Sequence, residues 1–214
     1  MAWHESFLLG ILSGIIASFI VSALLSTFAS LRKFIPPKLR KSLDKEFRNQ
    51  KHAEKSIIKD AKRSSYMYVF AMKGGSFCNE VTGQSRLIEI FKNIPIEQKY
   101  LISATADKNI NVKLRADELL DGATLNNGIA DSITNLERAS ADPNRRIKFS
   151  LHTESVPFRL IIFEECLYIS YQPPKIKGRE SPVQRYHRKS SGYLAMSAFF
   201  NKKWKKYSQE VIRG

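Results

Sequence analysis

The sequence predicts an α/β fold, a mixed sheet flanked by helices, preceded by one transmembrane helix. Three observations predict it. From residue 66 onward, short runs rich in β-branched and aromatic residues alternate with longer amphipathic segments, as strands and helices do around one sheet. An apolar run without charged residues occupies 7–31. The length of 214 residues leaves room for one ordinary domain plus an appendage.

The apolar run from Phe7 to Leu31 is long enough to cross a bilayer. It contains no charged residue, and a spanning helix needs about 20 apolar positions. Residues 1–6 hold no Lys or Arg, unlike the start of a cleavable signal peptide. The basic residues that follow the run are Arg32, Lys33, Lys38, Arg40 and Lys41. The positive-inside rule therefore predicts an uncleaved single-pass anchor with the C-terminal side in the cytoplasm.

Small residues recur at every fourth position of this predicted anchor. They are Gly10, Gly14, Ser18, Ser22 and Ser26. Such a row lets membrane helices approach closely. It predicts a homodimer or a higher homo-oligomer, and it is also compatible with contact to a different membrane protein.

The chain divides into three predicted regions: an anchor over 1–33, a basic juxtamembrane linker helix over 34–63 and a cytosolic α/β domain over 64–214. Pro36 and Pro37 are expected to end the predicted membrane helix, because proline cannot continue the hydrogen-bond ladder. In the linker, Leu39, Leu43 and Phe47 are four residues apart and surrounded by basic residues. This pattern fits a helix on anionic lipid headgroups and, equally, a solvated linker helix that docks on the domain.

Charge and cysteine content limit the classes of partner. The formal charge is +15, and Glu5 is the only charged residue before position 32, so the remainder carries +16. Such an excess favours anionic lipid, nucleic acid or phosphorylated ligands. Cys78 and Cys166 are too few for a disulfide framework or a zinc site. We predict a reducing compartment and no metal or cofactor.

The element pattern of the domain can be read from its apolar spacing. Predicted strands lie at 66–72, 99–103, 146–151, 159–163 and 167–171. Predicted helices lie at 85–93, 111–139 and 193–211. The alternation is the basis of the mixed-sheet prediction.

Two glycine- and serine-containing segments are candidates for anion binding. Lys73, Gly74, Gly75 and Ser76 directly follow the first predicted strand, where free amides could meet a phosphate or simply form a turn. In the strip RYHRKSSGY, the candidates are Arg188, Ser190 and Ser191. This strip fits an anion-binding rim, a nucleic-acid patch in which Tyr186, His187 and Tyr193 stack on bases, or a solvated basic loop.

His152 terminates the predicted strand RIKFSL beside a proline-containing loop. A histidine there can act as a nucleophile or general base, since its pKa is near neutrality, or serve a structural purpose. The order of this strand, then RLIIFEE, LYISY, a Ser pair and an aromatic helix ending in FFNKKW resembles the phospholipase D superfamily. In particular, it is similar to its divergent single-motif bacterial members, over about residues 56–207.

The resemblance implies a metal-free phosphoryl-transfer site. The family motif is His, any residue, Lys, four residues and Asp, and single-motif members complete the site by homodimerising. It implies His152 as the nucleophile, Arg159 on the phosphoryl oxygens and Glu164 as the carboxylate. The chain departs from the motif, because Thr153 and Glu154 follow the histidine and an acidic residue stands where the family has Lys.

Three functions follow as hypotheses. The first is a bacterial inner-membrane sensor or effector in anti-phage or stress defence, by analogy with similar anchored architectures. Its phospholipase-D-like domain would bind a nucleotide, nucleic acid or other phosphate-bearing ligand without turnover and act with a protein partner from the same system. The second is an active homodimeric phosphodiesterase, nuclease or phospholipase that forms a phosphohistidine. The third is a membrane-tethered scaffold that docks a protein through its C-terminal helix.

Overall fold

Seven strands form one mixed sheet in the computed structural model, which describes residues 43–78, 85–119, 122–155, 157–171 and 179–210. They belong to one unit, Ser42–Gly214. The elements are β1 (Leu43–Phe47), α1 (Gln50–Ala61), β2 (Tyr66–Ala71), α2 (Gly75–Cys78), α3 (Ile88–Asn93), β3 (Glu97–Ser103), α4 (Ile110–Leu119), α5 (Gly122–Ser140), β4 (Ile147–His152), β5 (Phe158–Ile162), β6 (Cys166–Tyr171), β7 (Val183–His187) and α6 (Ser191–Glu210). The predicted mixed α/β fold is thereby confirmed.

The strand order is β1-β7-β6-β5-β2-β3-β4. Strands β2, β3 and β4 are mutually parallel, and all other neighbours are antiparallel. The carboxyl ends of β2, β3 and β4 therefore meet the amino end of β5 at one end of the sheet, which we call the His152 edge. The other end, where β5 finishes, is the Glu164 edge.

The two faces of the sheet carry separate hydrophobic clusters. The α1 face joins Val69, Tyr100 and Ile161 to residues of α1, α2, α3 and the second half of α5. The α6 face joins Phe70 and Leu160 to residues of α4, α6 and the start of α5. Because side chains alternate along a strand, neighbours in sequence face opposite clusters. This alternation decides which candidate residues can meet.

Predicted strands 66–72, 99–103, 146–151, 159–163 and 167–171 correspond to β2 through β6. The structure differs at the predicted linker helix, because residues 43–47 form β1, which pairs with β7. Phe47 is buried and lies 6.2 Å from the ring of Tyr168. Tertiary pairing thus overrides the helical spacing of the leucines and phenylalanine. The helix begins later, at Gln50, where Asn49 Oδ1 accepts the amide of His52 at 3.2 Å.

No helix within the described ranges has both the length and the apolarity needed to cross a bilayer. The predicted anchor over 1–33, with Gly10, Gly14, Ser18, Ser22 and Ser26, lies outside the described residues, as does the start of the predicted linker. Anchor, helix pairing and membrane topology therefore stay predictions. The two cysteines are buried and are not joined in a disulfide.

Candidate functional site

His152 ends β4 on the α6 face and is only 1% exposed. Its ring stacks on Phe70 with centroids 4.7 Å apart, and its Nε2 donates a hydrogen bond to the Ala71 carbonyl at 3.2 Å. The Nδ1 atom is buried and has no hydrogen-bond partner among the residues that the structure describes. Burial lowers the pKa of His152 to about 4, against the opposing influence of the Ala71 hydrogen bond. The imidazole is neutral at physiological pH and enclosed, which does not fit an exposed nucleophile.

This burial makes stability depend on pH. The pKa of His152 falls from 6.5 to about 4 on folding, so its contribution is complete above 6.5 and is lost as the pH falls toward 4. Between about pH 7.5 and about pH 5 we expect the unfolding free energy to fall by about 2 kcal/mol through this residue. Urea denaturation at both pH values measures this change in unfolding free energy.

His152→Gln should lose that part of the pH dependence, whereas His187→Gln, at an exposed histidine, should keep it. An equal loss in wild type and His152→Gln contradicts the assignment.

Arg159 lies on the opposite face of the sheet from His152. Its neighbour Leu160 pairs with Phe70 of β2 and belongs with it to the α6-face cluster, and Arg159 therefore points to the α1 face. There its Nη1 donates to Gln50 Oε1 at 2.5 Å. In one chain, the predicted nucleophile and the predicted phosphoryl-binding cation do not converge.

Glu164, the predicted carboxylate, lies at the other end of the sheet. It follows β5 at the Glu164 edge and accepts the Ser65 hydroxyl at 2.9 Å, which joins two turns. His152 and Glu164 thus occupy opposite edges. In this chain's geometry Glu164 is a structural turn residue, and its assignment to catalysis remains a prediction.

Glu154 stands where the family motif has Lys. Its ion pair and hydrogen bond connect the loop after β4 to α6. Its carboxylate is 2.7 Å from Lys203 Nζ and accepts the Tyr207 hydroxyl at 2.8 Å. The hydrogen bonds from Lys203 and Tyr207 lower the pKa of Glu154 to about 2. The departure from the motif therefore has a structural consequence, since it holds α6 across the His152 side chain.

The glycine segment packs closely against α5. A Cβ on Gly74 would lie 3.2 Å from Cys78 Sγ and 3.6 Å from the Ser132 side chain, so its lack of a side chain permits this approach. The side chain of Lys73 crosses Gly128 of α5. Gly75 is buried and Ser76 is half-buried. The segment lies at the His152 edge, and it serves here as a tight strand-to-helix turn.

The RYHRKSSGY strip lies at the Glu164 edge, away from the glycine segment. Ser190 caps α6, because its hydroxyl accepts the Tyr193 amide at 3.1 Å. Arg188 is exposed and pairs with Glu165 at 2.6 Å. Tyr193 is only 8% exposed and donates to the Phe163 carbonyl at 2.9 Å. Ser191 begins α6 and is exposed. The two predicted anion-binding segments are therefore at opposite ends of the sheet, and Tyr193 is not available for stacking.

A surface that the sequence interpretation missed lies on the open part of the α6 face. We call it the Trp204 surface: Tyr66, Tyr68, Lys99, Lys148 and Trp204. Tyr68 stacks on the Tyr66 ring at 4.5 Å and on the Phe200 ring at 5.3 Å, and Phe200 stacks in turn on Trp204 at 6.0 Å. The sequence feature that could have predicted this surface is the pair Tyr66 and Tyr68, which are two residues apart and therefore lie on one face of β2.

Cations are interleaved with these rings. Lys99 Nζ lies 4.6 Å from the centroid of the Tyr68 ring and 5.9 Å from that of Trp204, and it pairs with Glu97 at 2.9 Å. Lys148 is exposed and is the cross-strand partner of Lys99. Lys205, next to Trp204 in α6, is also exposed. The Trp204 surface therefore combines half-buried aromatic rings with an excess of positive charge.

The described residues include no group of three or more His, Cys, Asp or Glu side chains placed to hold a metal ion. Within those ranges, the candidate chemistry is that of cations, aromatic rings and hydroxyls.

No protein-family model and no curated protein matches this chain. Among solved structures it is similar to TrmBL2, described as an archaeal chromatin protein with a novel mode of DNA binding. The TM-score is 0.43, with 12% identity over 95% of this chain and 68% of that chain. It is also similar to NucT from Helicobacter pylori, with a TM-score of 0.41 and 11% identity over 72% of this chain and 87% of that chain. Both likenesses are loose, and any function must be argued from this chain's own residues.

Proposed function

We propose that this chain is a membrane-anchored protein whose α/β domain binds single-stranded nucleic acid on the Trp204 surface, without phosphoryl transfer by His152. One observation carries the proposal: Lys99 Nζ lies within 6 Å of the ring centroids of both Tyr68 and Trp204, at 4.6 Å and 5.9 Å, and the exposed Lys148 is its cross-strand partner. The anchor rests on the uncharged run 7–31.

The charge of the chain supports a polyanionic ligand. Residues 32–214 carry a formal charge of +16, and an excess of this size attracts nucleic acid and raises association rates. Lys148, the cross-strand partner of Lys99, and Lys205, which follows Trp204 in α6, are both exposed. Phosphate contacts of this kind supply affinity but carry no base specificity.

The aromatic rings favour a single strand over a duplex. Unpaired bases can stack on side-chain rings, each stack contributing about 1–3 kcal/mol, whereas bases inside a duplex are already stacked. Trp204 is the last ring of the stack that runs through Tyr68 and Phe200. It is half-buried, so its ring position is fixed while part of it reaches solvent. A base can therefore extend the stack at Trp204.

The geometry around His152 argues against the phosphohistidine hypothesis. The Nε2 atom is engaged with Ala71, the ring is enclosed, and Arg159 points to the other face. A second chain does not change the burial of His152. The defence role, the homo-oligomer and the protein-docking scaffold have no test within the described residues and stay predictions.

The proposal is tested by titrating a fluorescein-labelled 20-nucleotide oligothymidine with the full-length protein in nonionic detergent. We expect saturable fluorescence anisotropy at low salt, with affinity that falls as salt rises, because bound phosphates release counterions. Excess unlabelled single strand should compete better than an equal mass of duplex. Absence of binding at low salt, or preference for the duplex, would refute the proposal.

Removing the exposed amines of Lys148 and Lys205 should weaken oligothymidine binding and make it less dependent on salt. For Lys148→Gln with Lys205→Gln, we expect the slope of log affinity against log salt to become shallower by about 1.4, since each phosphate contact contributes about 0.7. The matched control is Lys55→Gln with Lys59→Gln, which removes the same charge from exposed positions of α1, on the opposite face. Equal slopes in the two double variants would place the binding surface elsewhere.

A further inference from the structure

Arg159 is a buried cation that has no counter-ion among the described residues. The residue is 6% exposed. Its Nη1 donates to Gln50 Oε1, and its Nη2 is buried with no hydrogen-bond partner in the part of the chain that the structure describes. Among the described residues it forms no ion pair. The nearest acidic influence is Glu54, whose carboxylate already accepts the Ser85 hydroxyl at 2.9 Å and the Arg86 amide at 3.3 Å.

Burying the Arg159 guanidinium lowers the stability of the fold unless an opposite charge or a full set of hydrogen bonds offsets the lost hydration. Taking an ion out of water costs several kcal/mol, and buried charges are normally paired or fully hydrogen-bonded. Burial lowers the pKa of Arg159 to about 10, which leaves the guanidinium charged at neutral pH. A neutral buried group, such as the unpartnered Ser103 hydroxyl on the α6 face, carries a much smaller penalty and can be satisfied by a water molecule.

Two more unpartnered polar atoms lie in the same region. Ser170 is the direct cross-strand partner of Arg159, and Val183 is the partner of Ser170 on the next strand. Ser181 precedes Val183 by two residues. The hydroxyls of Ser170 and Ser181 are both buried and have no hydrogen-bond partner within the described ranges, and the two residues are 2% and 0% exposed.

The amino-terminal end of α1 lies over this group. Gln50, the residue that Arg159 contacts, is the first residue of the 12-residue α1. The Gln50 amide donates to the Arg179 carbonyl at 3.2 Å, two residues before Ser181, and the His52 amide donates to Asn49 Oδ1. The terminus therefore adds only the partial positive charge of the helix, and the donors to an anion are side chains. The guanidinium, two hydroxyl donors and a helix terminus thus occupy the amino end of β5 and the carboxyl end of β6 on the α1 face.

We propose that Arg159, Ser170 and Ser181 form a site for a phosphate-sized oxyanion beneath the amino-terminal end of α1. The guanidinium Nη2 and both hydroxyls donate to the anion, which supplies the missing negative charge. The enclosure of all three residues favours free phosphate over a bulky phosphomonoester. This site lies on the opposite face from the Trp204 surface and does not depend on nucleic-acid binding.

The test is thermal unfolding of the full-length protein in nonionic detergent, in inorganic phosphate or in chloride at equal ionic strength. We expect a saturable rise in Tm of about 5 °C with phosphate and a smaller rise with phenyl phosphate. Arg159→Met should lose this response and should have a Tm in phosphate-free buffer at least equal to that of wild type, because an unpaired buried charge is removed. Arg138→Met, at an exposed arginine of α5, should keep the response.

The Ser170→Ala, Ser181→Ala double variant gives a second test that preserves the arginine. It should fold and bind phosphate about tenfold more weakly, since two donors to an anion are lost. The proposal is overturned if phosphate causes no saturable shift in wild type, if Arg159→Met retains the shift, or if the serine double variant binds as wild type. Oligothymidine binding by Arg159→Met should be unchanged, which separates this proposal from the previous one.

Discussion

Trp204→Ala should bind oligothymidine about 5- to 150-fold more weakly than wild type, the equivalent of about 1–3 kcal/mol for one lost base stack. The physical reason is that Trp204 ends the ring stack on Phe200 and is the ring on which a base would stack. Fluorescence anisotropy with the labelled 20-nucleotide strand measures the change. The slope of log affinity against log salt concentration should stay as in wild type, because no cation is removed.

Two controls separate lost stacking from lost structure. Trp204→Phe keeps an aromatic ring and should bind within about threefold of wild type, since any ring face can stack on a base. Leu194→Ala, at a residue of the same helix that is 62% exposed, should change nothing. If Trp204→Ala binds as tightly as wild type while its Tm is unchanged, bases do not stack on this residue.

Phe70→Ala should lower the free energy of unfolding by about 3–5 kcal/mol, the usual cost of deleting a buried phenyl ring. Phe70 is 1% exposed and contacts the ring of His152 at 4.7 Å and that of Phe199 at 5.2 Å. It therefore connects the centre of the sheet to both β4 and α6. Urea denaturation at neutral pH measures the loss.

The matched variant Phe70→Leu keeps most of the volume and should cost less than about half as much. Because the cavity in Phe70→Ala adjoins His152, we expect the pKa of His152 to rise toward its ordinary value as water enters. Nuclear magnetic resonance titration of the imidazole reports this. A destabilisation of Phe70→Ala below about 1 kcal/mol would contradict the packing described for the α6 face.

Much of the fold could be predicted because the central strands are continuous apolar runs. Residues 159–163 and 167–170 are buried on both faces, and such runs indicate strands without knowledge of their partners. Strands β1 and β7 are different. They are polar edge-side strands whose sequences, LDKEF and VQRYH, contain little apolar periodicity. Strand β7 pairs with both β1 and β6. The pairing with β1 joins segments that are distant in sequence, so the local sequence does not predict it.

The candidate site is harder to predict from the sequence than the fold, because residue type does not reveal which face of a sheet a side chain occupies. His152 and Arg159 are only seven positions apart in sequence, but they lie on different strands that point to opposite faces. The separation follows from strand order and register. Similarly, the residue types of Ser190 and Tyr193 suggest ligand binding, whereas their hydrogen bonds cap α6 and attach it to the Phe163 carbonyl.

The most direct test of the account is the fluorescence of Trp204 during titration with unlabelled oligothymidine. The chain has two tryptophans, so Trp3→Phe leaves Trp204 as the single reporter. The account predicts quenching that saturates at the same concentration as the anisotropy change and that is reversed by salt. Oligonucleotide binding by anisotropy with no change in Trp204 emission would contradict it, because the strand would then be bound away from the Trp204 surface.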